Sequence, residues 1–154
     1  MTPSPTVPLA RLLVMAYRLL VDDLHCELVA RGWTDVRVAF GFMLLALRDG
    51  PASLRELVAM LGTSKQAVSK LAEAMVDASL VERVADPTDG RAKNLRLTDR
   101  GHALLADVEQ IYRDLEAGWA RTLGAGAVES LRRDLDTVIR AAHDGALPPV
   151  RPST

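Results

Sequence analysis

Ser53-Leu54-Arg55-Glu56-Leu57-Val58-Ala59-Met60-Leu61-Gly62, continued by Thr63-Ser64-Lys65-Gln66-Ala67-Val68-Ser69-Lys70-Leu71, is the stretch whose reading decides the fold. Ser53 and Glu56 have the S-x-x-E spacing of a capping box, which opens a short amphipathic helix carrying Leu54, Leu57, Val58 and Leu61. Gly62 ends it. Thr63 and Gln66 repeat the pattern as T-x-x-Q and open a second helix with Ala67, Val68, Leu71, Met75 and Val76 facing inward. Two short helices joined by a tight glycine-containing turn make a helix-turn-helix.

C-terminal to this pair, Leu80-Val81-Glu82-Arg83-Val84 and Leu95-Arg96-Leu97-Thr98 read as two short strands around the polar run Asp86-Pro87-Thr88-Asp89-Gly90-Arg91, a hairpin with a long tip. Thr98 is an N-cap with Asp99 in the first turn of a helix running through Leu104, Leu105, Val108, Ile111, Tyr112, Leu115 and Trp119. Gly124 to Gly126 interrupt it before a last helix from about Ala127 to Ala142. N-terminal to the pair, one helix spans about Leu9 to Ala30, closed by Gly32. Another spans about Asp35 to Arg48, capped by Thr34 or Asp35, with so little polar face that it should be buried. The prolines at positions 3, 5 and 8, and again at 148, 149 and 152, leave 1–8 and 147–154 as disordered tails around a single domain of 9–146. The fold class expected is mainly α with a small β-hairpin: a winged helix-turn-helix over about 35–98, flanked by terminal helices at about 9–30 and 99–143.

Composition narrows the function classes. The net charge of -1 gives no global attraction for nucleic acid, so any phosphate-binding surface must arise from local clustering. The single cysteine, Cys26, cannot close an internal disulfide, and no signal-like segment or bilayer-length apolar run is present, which points to the cytoplasm with no membrane partner. His25, Cys26 and Glu27 are adjacent and diverge by about 100° each on a helix, so they do not make a metal site. His102 and His143 have no nucleophile or carboxylate at catalytic spacing, and no Gly-rich phosphate loop exists, so neither an enzyme nor a cofactor is expected.

The segment Leu57 to Leu71 followed by Leu80-Val81-Glu82-Arg83 resembles the recognition region of the MarR family of bacterial transcriptional regulators. Asp86-Pro87-Thr88-Asp89-Gly90-Arg91-Ala92-Lys93 followed by Leu97-Thr98-Asp99-Arg100-Gly101 is similar to that family's wing and the start of its long helix. The resemblance covers about 53–101, and the flanking helices fit the family's dimerisation layer in length and order. It implies a homodimer that binds a palindromic operator in double-stranded DNA, usually as a ligand-responsive repressor, with small aromatic or lipophilic effectors held between the two layers. One position departs from the pattern: where the family commonly has two adjacent basic residues after the wing aspartate, this chain has Gly90 and then Arg91. Arg91 alone is carried over as the minor-groove arginine, with Asp89 as its orienting partner.

The residues support that reading on their own terms. A recognition helix places its N-terminal side chains against base edges in the major groove, and the first turns here offer Ser64, Lys65, Gln66, Ser69 and Lys70 with no acidic residue between Thr63 and Lys70. Gln66 could instead fold back to the Thr63 amide, and the two lysines could be ordinary solvated surface. At the wing, turn chemistry explains Gly90 but not Arg91 and Lys93, which suit an extended side chain in the narrow minor groove. Arg83 and Arg96 either touch phosphates or pair with Glu82 or Asp86. Tyr17, Trp33, Phe40, Phe42 and Met43 are the side chains from which an effector pocket would be built, and aliphatic–aromatic core is the alternative for each. Cys26 is either inert packing as a buried helix cysteine or a peroxide sensor of the sort some relatives use. From geometry alone, the surplus aliphatic surface on the terminal helices predicts a two-fold dimer holding two reading helices about 34 Å apart. The competing function is a winged-helix protein-interaction module, an adaptor or antirepressor, with no direct DNA readout.

Overall fold

The computed structural model describes residues 6–91 and 93–148. The parts of the expected tails at 1–5 and 149–154 lie outside the described residues, and 6–8 and 147–148 carry no helix or strand. Six helices and three strands follow in the order α1 (Leu9–Ala30), α2 (Val38–Ala46), β1 (Ala52–Ser53), α3 (Leu54–Leu61), α4 (Lys65–Asp77), β2 (Val81–Ala85), β3 (Lys93–Leu97), α5 (Asp99–Leu123) and α6 (Ala127–Ala141).

The helix-turn-helix forms where the capping chemistry puts it, with one shift. Ser53 caps α3, its Oγ accepting the Glu56 amide at 3.1 Å and facing the Glu56 carboxylate at 3.1 Å. Gly62 ends α3 in the left-handed region at φ 64°, a conformation costly for a residue with a Cβ. The cap of α4 is Ser64, not Thr63: Ser64 is extended (φ -71°, ψ 153°) and its Oγ accepts the Ala67 amide at 3.1 Å. The T-x-x-Q box therefore does not form, because the residue three beyond the true cap is Ala67. Ala67 is exposed, contrary to expectation, and Ala72 is buried in its place, since the inward line of α4 runs Val68, Ala72, Met75 at four- and three-residue steps.

The hairpin closes in the register Val81↔Leu97 to Ala85↔Lys93. It is not alone: β1 pairs with the other edge of β3 through Ala52↔Leu95 and Ser53↔Asn94, giving a three-stranded antiparallel sheet in the order β1-β3-β2. Two residues are too few to show a period of two, and Ser53 already serves as a helix cap. The second helix is also shorter than expected. Thr34 and Asp35 lie in the connection, and the N-cap position is Arg37 with no side-chain cap. The chain is held elsewhere at this point, the Trp33 amide donating to Leu28 O at 2.9 Å and the Trp33 indole Nε1 to Asp107 Oδ2 of α5 at 2.8 Å. Residues 33–37 are consumed in crossing from that anchor to α2.

One aliphatic core, including Leu28, Phe40, Met43, Leu44, Leu57, Leu61, Met75 and Leu104, unites α2, α3, α4 and the sheet with the C-terminal third of α1 and the first half of α5. The junction between α4 and α5 is tight. Ser79 sits in the left-handed region at φ 59°, and the pair Leu80 N–Met75 O (2.9 Å) and Ser79 N–Val76 O (2.9 Å) forms a Schellman close to α4. Thr98 then binds this turn twice, its amide donating to Leu80 O at 3.0 Å and its Oγ1 to Ser79 O at 2.6 Å, while also capping α5 through the Gly101 amide. A Cβ on Gly101 would lie 2.1 Å from Leu80 O, so this position in the first turn of α5 is glycine because backbone passes against backbone.

Candidate nucleic-acid interface

Three elements converge on one face: the start of α4, the edge of the sheet and the tip of the hairpin. Ser64, Lys65, Gln66, Ala67 and Lys70 are exposed and Ser69 is half-buried. The cap uses the Ser64 oxygen as an acceptor and leaves its proton to donate outward. With Ser64 as cap, Gln66 is the second helical residue, and among the described residues it makes no hydrogen bond to Thr63. Ser69, Arg83 and Lys93 line one hollow between α4 and the sheet, together with Glu73, and Lys65 and Lys93 line a second beside it with Arg55 of α3. Sequence reasoning missed Arg55 and Ala67. Arg55 reaches the face only because β1 draws the start of α3 against β3, a contact with no local signature; Ala67 would have been found by placing the cap one residue later.

The hairpin tip is shaped by two aspartates. Asp86 Oδ1 accepts both the Thr88 amide and the Thr88 hydroxyl at 2.8 Å, and Asp89 Oδ1 accepts the Arg91 amide at 3.0 Å. Asp89 thus acts on the backbone of Arg91, fixing the turn from which the exposed guanidinium projects. The hydrogen bond from the Thr88 amide, followed by that from its hydroxyl, holds the Asp86 carboxyl below its ordinary 3.8. The order this residue gives the tip is therefore present above the usual carboxylate range and fades as the pH drops through the lowered value.

Cations outnumber acids on this face, where Glu73 is the acid that shares a hollow with Arg83 and Lys93. Among the described residues, Arg55, Lys65, Lys70, Arg83, Arg91 and Lys93 are in no ion pair, whereas Arg96 pairs with Glu82 across the hairpin at 2.7 Å. Acidic side chains on α4 stand toward its far end, at Glu73 and Asp77. A neutral chain therefore carries a local cationic face at the end of α4 that a groove would meet first.

A separate cavity of about 180 Å³ lies between α1, α2 and α5, lined by Tyr17, Leu24, His25, Arg37, Phe42, Leu105, Glu109 and Tyr112 among others. Tyr17 and Phe42 are where an effector pocket was expected; Trp33, Phe40 and Met43 do not line it. Phe40 and Met43 are 2% and 0% exposed and belong to the packed core. Trp33 is committed to Asp107 and lies under the Arg100 guanidinium, 4.8 Å from its ring centre. Burial, with Tyr17 nearby, pushes the Tyr112 hydroxyl above its ordinary 10. Arg48 pairs with Glu109 at the cavity wall, Nη1 lying 2.9 Å from Oε1 and Nη2 donating to Oε2 at 3.3 Å. Cys26 is exposed, not buried, because Leu24 and Leu28 take the inward positions on that stretch of α1. Among the described residues no group of three or more His, Cys, Asp or Glu side chains could hold a metal ion, and no helix is long and apolar enough to cross a membrane.

A helix-turn-helix with a three-stranded wing between long terminal helices is a winged helix-turn-helix of the regulator type. The model of the MarR family matches residues 42–92, from α2 to the tip of the wing. The reduced form of MarR from E. coli superposes with a TM-score of 0.73 at 25% identity, covering 88% of this chain and 99% of that one. A mutant MarR from E. coli complexed with operator DNA superposes with a TM-score of 0.64 at 27% identity, over 86% and 94% of the two chains. The exopolysaccharide II synthesis transcriptional activator ExpG of Rhizobium meliloti is 28% identical over 135 residues, 88% of this chain and 66% of the relative. The chain spans 57% to 66% of the length of the curated relatives it matches. Sequence motifs, element order and superposition agree: the chain is similar to MarR family regulators in its recognition region and shares their fold.

Proposed function

We propose that this protein is a sequence-specific, double-stranded-DNA-binding transcriptional regulator that acts as a homodimer. The observation that carries the reading is the cationic face: the outward first turns of α4 stand beside a wing whose Arg91 and Lys93 have no acidic partner among the described residues. In the complex, Lys65, Gln66, Ser69 and Lys70 approach base edges and flanking phosphates in the major groove, Ala67 offers a methyl group that suits thymine, and Arg91 enters the minor groove. Ser64 and Lys93 add backbone contacts. A solved MarR complexed with operator DNA supports this mode. Nothing favours the adaptor reading, which would leave the free cations without a purpose.

The dimer is supported by what the terminal helices leave open. No residue of α6 is buried, and a cleft of about 410 Å³ between α1, α5 and α6 is walled by Leu13, Leu20, Trp119, Leu131, Leu135 and Ile139. Leu9, Leu12, Val14, Met15 and Leu19 are exposed along α1. Such a surface is far more apolar than water tolerates on a monomer, and a two-fold partner presenting the same helices covers it.

The cavity by α2 suits a small aromatic or lipophilic effector. A cavity of about 150 Å³ holds a benzene ring, so its volume fits a single ring. An effector bound here, where α1, α2 and α5 meet, would bias the distance between the two reading helices. The direction of control follows from where the operator lies relative to the promoter; the resemblance favours a repressor, and one relative carries the name of an activator.

The test is footprinting on the intergenic DNA next to the coding sequence, followed by titration with single-ring compounds. Protection of a roughly palindromic site, lost on adding one of those compounds, is the expected result; uniform, salt-dependent retardation of every duplex would overturn sequence-specific regulation.

A further inference from the structure

Arg55 lies outside the two elements that ordinarily read DNA in this arrangement, yet the fold brings it to their junction. The start of α3, the first turn of α4 and the start of β3 enclose an open hollow of about 450 Å³ lined by Ser53, Leu54, Arg55, Val58, Lys65 and Lys93. Three cations from three different elements line it, and no carboxylate does. None of the three is in an ion pair among the described residues, and Glu56, the nearest acid in sequence, is turned to the Ser53 hydroxyl. Three like charges converging without an acid repel one another, an arrangement that costs free energy unless an anion joins them. In a helix-turn-helix the first helix of the pair crosses the DNA backbone while the second enters the groove, which sets this hollow over the phosphates at the groove's edge.

We infer that Arg55, with Lys65 and Lys93, forms a seat for one backbone phosphate of the operator on each protomer, a contact that anchors the protein on the duplex without discriminating sequence. The inference rests on the DNA-binding reading given above. A phosphate carries no sequence information, so the seat positions the reading helix and contributes equally on every duplex. The same chemistry would suit a free phosphate, and the experiment separates the two sources.

Arg55→Ala, Arg55→Lys and the unaltered protein are compared by fluorescence anisotropy on the protected duplex and on a scrambled duplex across a series of salt concentrations, with circular dichroism verifying the fold. For Arg55→Ala the expected result is a loss of affinity on the order of tenfold on both duplexes, with their ratio unchanged. The slope of log affinity against log salt should shrink by roughly 0.9 for each protomer bound. Arg55→Lys should keep most of the slope. A scan in which single phosphates are replaced by neutral methylphosphonates should find one position per half-site that weakens the unaltered protein and leaves Arg55→Ala indifferent. An unchanged slope in Arg55→Ala, with specific binding by the unaltered protein, overturns the seat and leaves the regulator reading standing. An unchanged slope joined to stabilisation by inorganic phosphate at constant ionic strength, lost in Arg55→Ala, overturns the DNA assignment in favour of a free anion. Absence of specific binding by the unaltered protein overturns both.

Discussion

The central lobe from α2 to β3 and the layer formed by α1 and α6 are built from similar aliphatic residues and end with opposite surfaces. In the lobe, nearly every large apolar side chain is covered within the chain, and cations on its outer face stand outside any ion pair among the described residues. In the terminal layer most apolar side chains of α6 and of the first half of α1 are uncovered, while arginines of α6 are paired: Arg132 with Glu116 at 2.7 Å and Glu129 at 3.2 Å, and Arg140 with Asp136 at 2.9 Å. The two Arg132 contacts, that to Glu116 first, push its guanidinium above the ordinary arginine value. One region has satisfied its packing and offers charge; in the other, α6 has paired its arginines and, with α1, offers packing. The partner each awaits is therefore of a different kind, a polyanion for the first and a second apolar surface for the second.

The largest effect expected breaks the lobe's self-sufficiency from within. Gly101→Ala forces a methyl group into Leu80 O, and the lobe should lose about 3 kcal/mol. Chemical denaturation checks this, and a loss under 1 kcal/mol would mean that the α4–α5 junction is looser than described. Next comes the terminal layer. Leu131→Asp with Leu13→Asp places charge in the open cleft and should turn the dimer into a monomer by light scattering, with operator affinity down at least about a hundredfold from lost bivalency while helicity stays. A variant that remains dimeric would move the interface elsewhere. Smaller still, Lys70→Ala or Arg91→Ala should each cost on the order of tenfold in affinity, but Lys70→Ala should alter the ratio between operator and scrambled duplex only if it reads a base. Arg96→Ala, which removes a cation already held by Glu82, should leave the salt slope nearly unchanged and so sharpens the distinction between free and paired charge. The smallest effect is on Ser79: Ser79→Gly relieves a left-handed residue and should raise stability by up to about 1 kcal/mol, a rise of roughly 2–4 °C in Tm.

How much of this could be read before any coordinates follows from how local each signal is. Ser53, Gly62 and Thr98 announce element ends by chemistry that acts within four residues, and α1 matches its expected bounds, Leu9–Ala30. Thr63 misled because two adjacent hydroxyl residues offer the same cap and only the backbone turn chooses Ser64. The pocket was least legible. Its walls pair Leu24 and His25 with Leu105 and Glu109, some eighty residues away, and a choice by large aromatic or methionine side chains includes Trp33, Phe40 and Met43, which packing assigns elsewhere. Arg55 shows the same limit, since its neighbours come from a strand pairing of two residues.

The stitching of Thr98 to Leu80 and Ser79 makes α5 a lever whose short arm is the reading helix. Its 25 residues form a rod about 37 Å long, so a tilt of about 5° pivoting at the distal end displaces the Thr98 end by about 3 Å. With no slack at Gly101, α4 must travel with it. A swing that small would carry the first turns of α4 through a full hydrogen-bond length, so the grip proposed for them is sensitive to small shifts at the root of the rod.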